Sequence, residues 1–312
     1  MALTLTEGSK YSTTELDRRV IDRLVKDSRV LQLLPFEELM GNSLTYNTIT
    51  TDAGAGFYPV NGTWTESTPT LTQATVTLKI LGGDADIDNF LLATRSNKMD
   101  LKGTILENKI KAVQYAFMDK FFYGSATSDP NEFTGLQGLI SSTTYNTVSA
   151  GSTTGTLLSM TKLRQAIDLI PNAWSPTHIA MSKQLRRYIT VYLDSLGASF
   201  PTGRNDWGKM VQYYDGLEII VDDHILDTET AASGVYTAKT GGGNTTIFIL
   251  SFAPQACSGV QGQGGIKTVP LGDLETKDAS RYRIKWYCGL KFEDIRSCAK
   301  VDGIDADGTV AA

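Results

Sequence analysis

Lys98–Gly124 reads KMDLKGTILENKIKAVQYAFMDKFFYG. Ile105, Leu106, Ile110, Val113, Phe117 and Phe121 recur at steps of three or four, the spacing that aligns side chains on one face of a helix. Tyr115, Met118 and Phe122 widen that face, and Lys98, Lys102, Glu107, Lys111 and Lys120 supply a solvated remainder. No proline interrupts the run, and Gly124 marks the expected stop. Roughly 25 residues at ~1.5 Å each make a rod of about 38 Å, twice the usual helix length. Such a helix also suits the core of an ordinary enzyme, so its flanks decide the fold.

Upstream, residues 43–83 hold eleven threonines and only three charges, Asp52, Glu66 and Lys79. Leu44–Thr50 and Thr70–Leu81 are strand-like, with Val76, Leu78 and Ile80 alternating against Thr75, Thr77 and Lys79. Between them lies DAGAGFYPVNGTWTESTP, so the expected unit is one long hairpin with an elaborate tip. A two-stranded ribbon is marginal alone in water. Phe57, Tyr58 and Trp64 at the tip have little local material to bury against. The ribbon either lies on its own domain or is completed by another subunit through strand addition. Gly82–Asp86 then reads as a connector into the long helix.

Before the hairpin, Ser12–Glu15 fits a capping box and predicts a helix reaching Leu34, ended by Pro35. Arg18, Arg19, Arg23, Lys26 and Arg29 lie there among Asp17, Asp22 and Asp27. They form either a solvated ion-paired face or a face turned to nucleic acid or a partner chain. Beyond the long helix, a Ser/Thr/Gly-rich connector over 125–155 contains a short apolar element at Leu136–Ile140. Helix and strand patterns then alternate: a helix through Leu163 and Ile170 to Pro171, strand 177–181, a helix capped by Ser182, and strands 217–221 and 245–252. Ala279–Val301 alternates again, Tyr282, Ile284, Trp286 and Cys288 against Arg281, Arg283, Lys285 and Tyr287, with a bend or bulge expected at Gly289. This closing strand is expected to return to the sheet that carries the long helix, with Trp286 near Phe117.

The length of 312 residues accommodates two cores, and a net charge of −5 announces no basic surface for sequence-specific nucleic-acid binding. Cys257, Cys288 and Cys298 are an odd number at no ligand spacing and read as packed, reduced thiols. The N-terminus shows no signal-peptide pattern, and no apolar run approaches the ~18 residues of a membrane span.

Chemistry is sparse. The two histidines are His178, at a predicted strand, and His224. Asp222, Asp223 and His224 with Asp227 have the donor types for a divalent metal and a hydrolase, although a loop after a strand collects Asp for turn chemistry too. Gly259–Thr268 follows a strand like a phosphate loop, but Ile266 separates glycine from Lys267 and Pro270 leaves no room for a helix. No G-x-S-x-G is present and no cysteine has an assignable base. No cofactor and no catalytic residue is expected.

The order of parts resembles the tailed-phage major capsid protein of the Hong Kong 97 type. The wording of RIKWYCGLKFEDIRSCAKVDGI and VYLDSLGASF is similar to many phage capsid chains. The resemblance implies an α+β fold: an N-arm over 1–42, an E-loop hairpin over 43–90, a peripheral domain with its spine helix over 91–154 and 273–312, and an axial domain over 155–272. It implies hexamers and pentamers of an icosahedral shell around double-stranded DNA, assembled in the host cytoplasm, with E-loops overlapping neighbours. Implied partners are a portal, a scaffold and decoration proteins. No long scaffolding segment precedes the arm helix, so a separate scaffold or an already processed chain is expected. Lys79 lies on the rising strand without an acidic catalyst, so a shell without covalent cross-links is expected. An encapsulin-type nanocompartment is the alternative within this fold.

Overall fold

The computed structural model describes residues 3–4, 28–51, 53–95, 101–140, 146–150, 156–204, 208, 210–232, 235–237, 243–307 and 310. Its strands are β1 (Leu3–Thr4), β2 (Pro35–Leu39), β3 (Ser43–Thr51), β4 (Thr70–Thr77), β5 (Lys79–Asp88), β6 (Thr147–Ser149), β7 (His178–Met181), β8 (Thr202–Arg204), β9 (Met210–Tyr214), β10 (Leu217–Val221), β11 (Thr230–Ala232), β12 (Val235–Thr237), β13 (Asn244–Leu250), β14 (Cys257–Gly262), β15 (Lys267–Asp273), β16 (Ala279–Phe292) and β17 (Ala299–Asp305).

Leu101–Tyr123 is one uninterrupted helix. Leu106, Ile110, Val113, Phe117, Met118, Phe121 and Phe122 are buried along it. Tyr115 departs from the expectation and is 57% exposed. It shares a face with Phe122, seven residues on, but only the lower end of that face is covered, by Phe248, whose ring lies 5.5 Å from that of Phe122. Two turns higher, Tyr115 lies against the tilted ring of His224, centroids 5.4 Å apart, and stays open to solvent. The helix stops at Gly124, where the turn back admits only glycine: a Cβ there would collide with the carbonyl oxygens of Phe133 and Lys120. The amide of Gly135 donates to the carbonyl of Gly124 (2.9 Å), which turns the chain back along the helix.

The first sheet is built on β16. β14 and β15 share one of its edges, and β5 runs along the other from Asp88 opposite Ala279 to Lys79 opposite Cys288. β2 adds to β14 in parallel and β1 pairs with β2. The inner face of β16 presents Ile284, Trp286 and Cys288 to the long helix. The Trp286 ring centroid lies 4.6 Å from that of Phe117 and 5.6 Å from that of Phe36. The docking expected from the sequence is therefore present.

Three local expectations change. Thr70–Leu81 is not one strand; it breaks at Leu78, and the break shifts the alternation so that Ile80 is 79% exposed while Val76 and Leu78 are half-buried. Gly82–Asp86 is not a connector but the middle of β5. A Cβ on Gly82 would strike the carbonyl oxygen of Ile284, so glycine permits the close strand contact there. Gly289 carries no bulge, and β16 passes through it in register with Val260. A Cβ at Gly289 would instead press within 3.2 Å of Val76, where the hairpin crosses the strand.

The second sheet runs β6-β17-β13-β7-β10-β9-β8. Ser159 and Ser182 cap the helices Met160–Asp168 and Lys183–Ser195, their hydroxyls accepting from Thr161 N and Leu185 N. These helices cover one face, burying Ile179, Ile247, Ile249 and Val301. The opposite face gives Ala180, Ile220, Phe248 and Leu250 to the core of the long helix. β13 is thus buried on both sides, which is why its second half, Ile247–Leu250, is continuously apolar.

Sheet membership cuts across the boundaries expected at 154 and 272: β14 and β15 join the first sheet, β6 and β17 the second. The closing segment holds two strands joined by the 3-10 turn Ile295–Ser297, and alternation alone carries no record of which sheet a strand enters. Of the arm helix only its end, Arg29–Leu33, is described, with Ser28 as its cap. Arg18, Arg19, Arg23 and the capping box at 12–15 lie outside the described residues. Arg29 pairs with both carboxylate oxygens of Glu218 (2.9 and 3.0 Å), tying this turn to β10.

A buried polar cluster joins the long helix to the second sheet. Glu229 accepts from the Tyr123 hydroxyl (2.5 Å) and from Thr246 Oγ1 (2.6 Å). Lys300 and Asp302, 3.6 Å apart and nearly inaccessible, complete it. Burial raises Glu229 from 4.5 to about 7 against the pull of those hydrogen bonds, raises Asp302 and lowers Lys300.

Two predictions follow from this packing. Trp286→Ala is expected to cost about 3–5 kcal/mol in chemical denaturation, whereas Tyr115→Ala stays within about 0.5 kcal/mol. Between pH 4.5 and about 7 the folded chain keeps the Glu229 proton that the unfolded chain has released, so stability falls as pH rises through that window. Glu229→Gln removes this slope. Its stability relative to the parent is expected to improve from about pH 5 to about pH 8 by on the order of 3 kcal/mol. A gap that stays constant across those pH values is the contrary result.

Candidate assembly surfaces

β3 and β4 pair with each other alone, from Ser43 opposite Thr77 to Thr51 opposite Thr70, with an irregularity between Ile49 and Thr51. Threonine suits this exposed ribbon because its branched Cβ favours the strand while its hydroxyl bonds locally. Thr45 and Thr75 share a cross-strand hydrogen bond (3.3 Å), and Thr48 Oγ1 donates to Thr72 O (3.1 Å). Among the residues of known burial between 43 and 77, not one is buried.

The hairpin is held at its base. Leu78 N donates to Asn42 O, and the Tyr46 hydroxyl donates to the Phe292 carbonyl at the end of β16 (3.0 Å). Burial raises Tyr46, which keeps this donor protonated. Lys79 Nζ donates to Pro130 O (2.6 Å), placing that lysine at the base and not the tip.

The tip, 53–69, is irregular but internally bonded. The rings of Tyr58 and Trp64 stack with centroids 4.5 Å apart. Tyr58 Oη also accepts from Thr65 N (3.2 Å), Gly54 N donates to Ser67 Oγ (2.8 Å), and Gly62 N donates to Pro59 O across a turn with Asn61 at φ 63°. Trp64 nevertheless remains 78% exposed and Phe57 fully so. The structure therefore brings Tyr58 and Trp64 together and leaves Phe57 apart, pointing at solvent.

Further apolar side chains open to solvent were not singled out from sequence: Met40, Val60, Ile80 and Phe90. Ile80 was hidden by the phase shift at Leu78. Beside it, β5 and β16 carry Asp86–Arg281 and Asp84–Arg283 as paired carboxylate–guanidinium contacts of 2.6–2.8 Å. The arginine hydrogen bonds hold both carboxyls below the usual range.

The residues considered for catalysis are placed differently. Asp223 binds Lys183 (2.6 Å), His224 meets Asp119 (2.5 Å), and Asp222 accepts from the His224 amide (2.9 Å). Asp222, Asp223 and Asp227 line an open groove of about 320 Å³ with Lys183 and Arg187, while His224 faces the long helix instead. Among the described residues no three His, Cys, Asp or Glu side chains are placed to hold a metal together. Burial, helped by Arg29, lowers His178 to about 4, so the imidazole 3.8 Å from Glu218 is neutral near pH 7. Gly259–Thr268 runs from β14 through a turn at 263–266 into β15, with Gly264 and Gly265 at positive φ, and no helix follows.

The sequence profile of the phage capsid family matches residues 11–241. No curated protein matches the sequence. In fold, the chain is similar to the holo-SrpI encapsulin complex of Synechococcus elongatus PCC 7942, with a TM-score of 0.69 at 13% identity, covering 91% of this chain and 89% of that one. It is similar to the capsid of the native GTA particle (TM-score 0.65, 11% identity, 88% and 89% covered). It is also similar to a chain of Microbacterium phage Oxtober96 (TM-score 0.62, 10% identity, 89% and 90% covered).

Removing the hairpin latch provides a local test. Tyr46→Phe deletes the bond to Phe292 and keeps the ring, so global stability is expected to drop by only about 1 kcal/mol. Limited proteolysis within 53–69 is expected to accelerate; an unchanged cleavage rate contradicts the latch.

Proposed function

This chain belongs to the phage capsid family and has the Hong Kong 97-type fold, and we propose that it closes into an icosahedral shell of hexamers and pentamers around double-stranded DNA. One observation carries the reading: a long hairpin of low charge with no buried residue of known burial, ending in a stacked aromatic tip. Alone it is a marginal ribbon with an exposed edge, and neighbouring copies supply the surface it lacks.

In this reading Phe57, Tyr58 and Trp64 seat on the adjoining subunit. The Tyr58–Trp64 stack is formed before contact, which lowers the ordering cost of docking. Each Å² of apolar area covered contributes about 25 cal/mol against that cost. Arg18, Arg19 and Arg23 of the arm meet DNA phosphates or acidic groups of a neighbour. The portal, scaffold and decoration proteins are the implied further partners, and assembly takes place in the host cytoplasm. The part carrying the first sheet serves as the peripheral domain and the second as the axial domain. Lys79, engaged at the hairpin base, supports a shell without covalent links between copies.

The likeness to an encapsulin favours a second reading, a nanocompartment around protein cargo. Nucleic acid recovered from purified particles decides for the first; an enclosed enzyme without nucleic acid decides for the second.

Deleting 52–66 is expected to leave a soluble, folded subunit that forms no closed shells by electron microscopy, while the parent forms them. Normal particles from the deletion overturn the role of the hairpin; no particles from the parent overturn the shell itself.

A further inference from the structure

Cys257 and Cys298 are far apart in sequence, yet the fold buries both thiols as neighbours in a site closed to solvent. Backbone pairing brings them there. β13 and β17 match Ile249 with Ala299, so Cys298 falls beside the end of β13. Cys257 N donates to Ser251 O (3.3 Å) and Cys257 bridges Phe252, which delivers the start of β14 to the same point. Cys257 thus belongs to the first sheet, while Cys298 leads into the second.

The two sulfurs are not equivalent. Burial alone raises Cys298, but hydrogen bonds from Cys257, the Ser251 backbone and the Ser297 hydroxyl outweigh it and bring the thiol below its ordinary range. Cys257, which donates to Cys298 and is buried, is raised. Cys288 is raised by burial alone, without a second cysteine. One thiol of the pair is therefore disposed to attack and the other to follow.

We propose that Cys257 and Cys298 form a redox site, a dithiol that a peroxide small enough to enter the core converts into a disulfide joining the two sheets. The Cys298 thiolate attacks one peroxide oxygen and the O–O bond breaks. The hydroxide released takes up a proton, leaving a sulfenic acid on Cys298. Cys257 sulfur then attacks Cys298 sulfur; the S–O bond breaks, and the departing hydroxide takes the Cys257 proton. Two thiols and one hydrogen peroxide give one disulfide and two waters. A particle that leaves a reducing cell for an oxidising medium meets this chemistry, whatever it encloses. The new bond restrains the unfolded chain between the two positions.

The test treats assembled, fully reduced protein with hydrogen peroxide and counts free thiols after denaturation, with peptide mapping under non-reducing conditions. The parent is expected to fall from three thiols to one, with a 257–298 cross-linked peptide and a Tm higher by on the order of 5 °C. Cys288→Ser retains the cross-link, and Cys257→Ser and Cys298→Ser lose it. The parent's peptide map alone decides the matter if a serine variant does not fold. Three surviving thiols, a cross-link through Cys288, or Cys298 driven to sulfinic acid without a disulfide overturns the proposal.

Discussion

The whole chain depends on β16. It is paired along both edges, by β5 over 279–288 on one side and by β15 and β14 over 280–285 and 288–292 on the other, so most of its backbone groups are satisfied within the sheet. Its inner side chains close on the long helix through Trp286 and Phe117. One strand therefore fixes where the helix lies, where the hairpin departs and where the chain crosses to the second sheet. The hairpin leaves from the edge of this ladder, latched by Tyr46 to the last carbonyl of β16. Its base is held by the core while its length is left to solvent.

The second sheet extends this logic to two cores. β13 buries Ile247 and Ile249 on one face, Phe248 and Leu250 on the other. A strand covered on both faces transmits the packing of the long helix to the helices beyond it. The joint is not wholly apolar: the buried Glu229, Thr246, Lys300 and Asp302 meet there with the half-buried Tyr123. Such a cluster costs desolvation and gives direction in return, because its hydrogen bonds are met in one arrangement of helix and sheet.

In the proposed reading, function resides in surfaces that one copy cannot cover. Phe57 and Trp64 are open although the tip around them is hydrogen-bonded into shape. The Asp222–His224 loop, which has the donor types of a catalytic site, uses its groups on Lys183, Asp119 and its own turn. The contrast separates an apolar surface left open to solvent from one whose charges are already matched.

By itself the sequence determined the long helix, its stop at Gly124, the threonine-rich hairpin, the helix capped by Ser182, and the inner face of β16. Each is a local matter, set by periodicity, by caps, or by a glycine whose Cβ would collide. Tertiary structure decided what no period records. Leu78 breaks the alternation and turns Ile80 outward; Tyr115 is exposed because its face of the helix is covered only at the other end; β14 and β17 enter the sheets opposite to those their order suggested. Glu229, Lys300, Cys257 and Cys298 were equally illegible, because their character depends on groups brought from distant parts of the chain. Local propensity is written in neighbouring residues, whereas burial and partnership are properties of the folded packing.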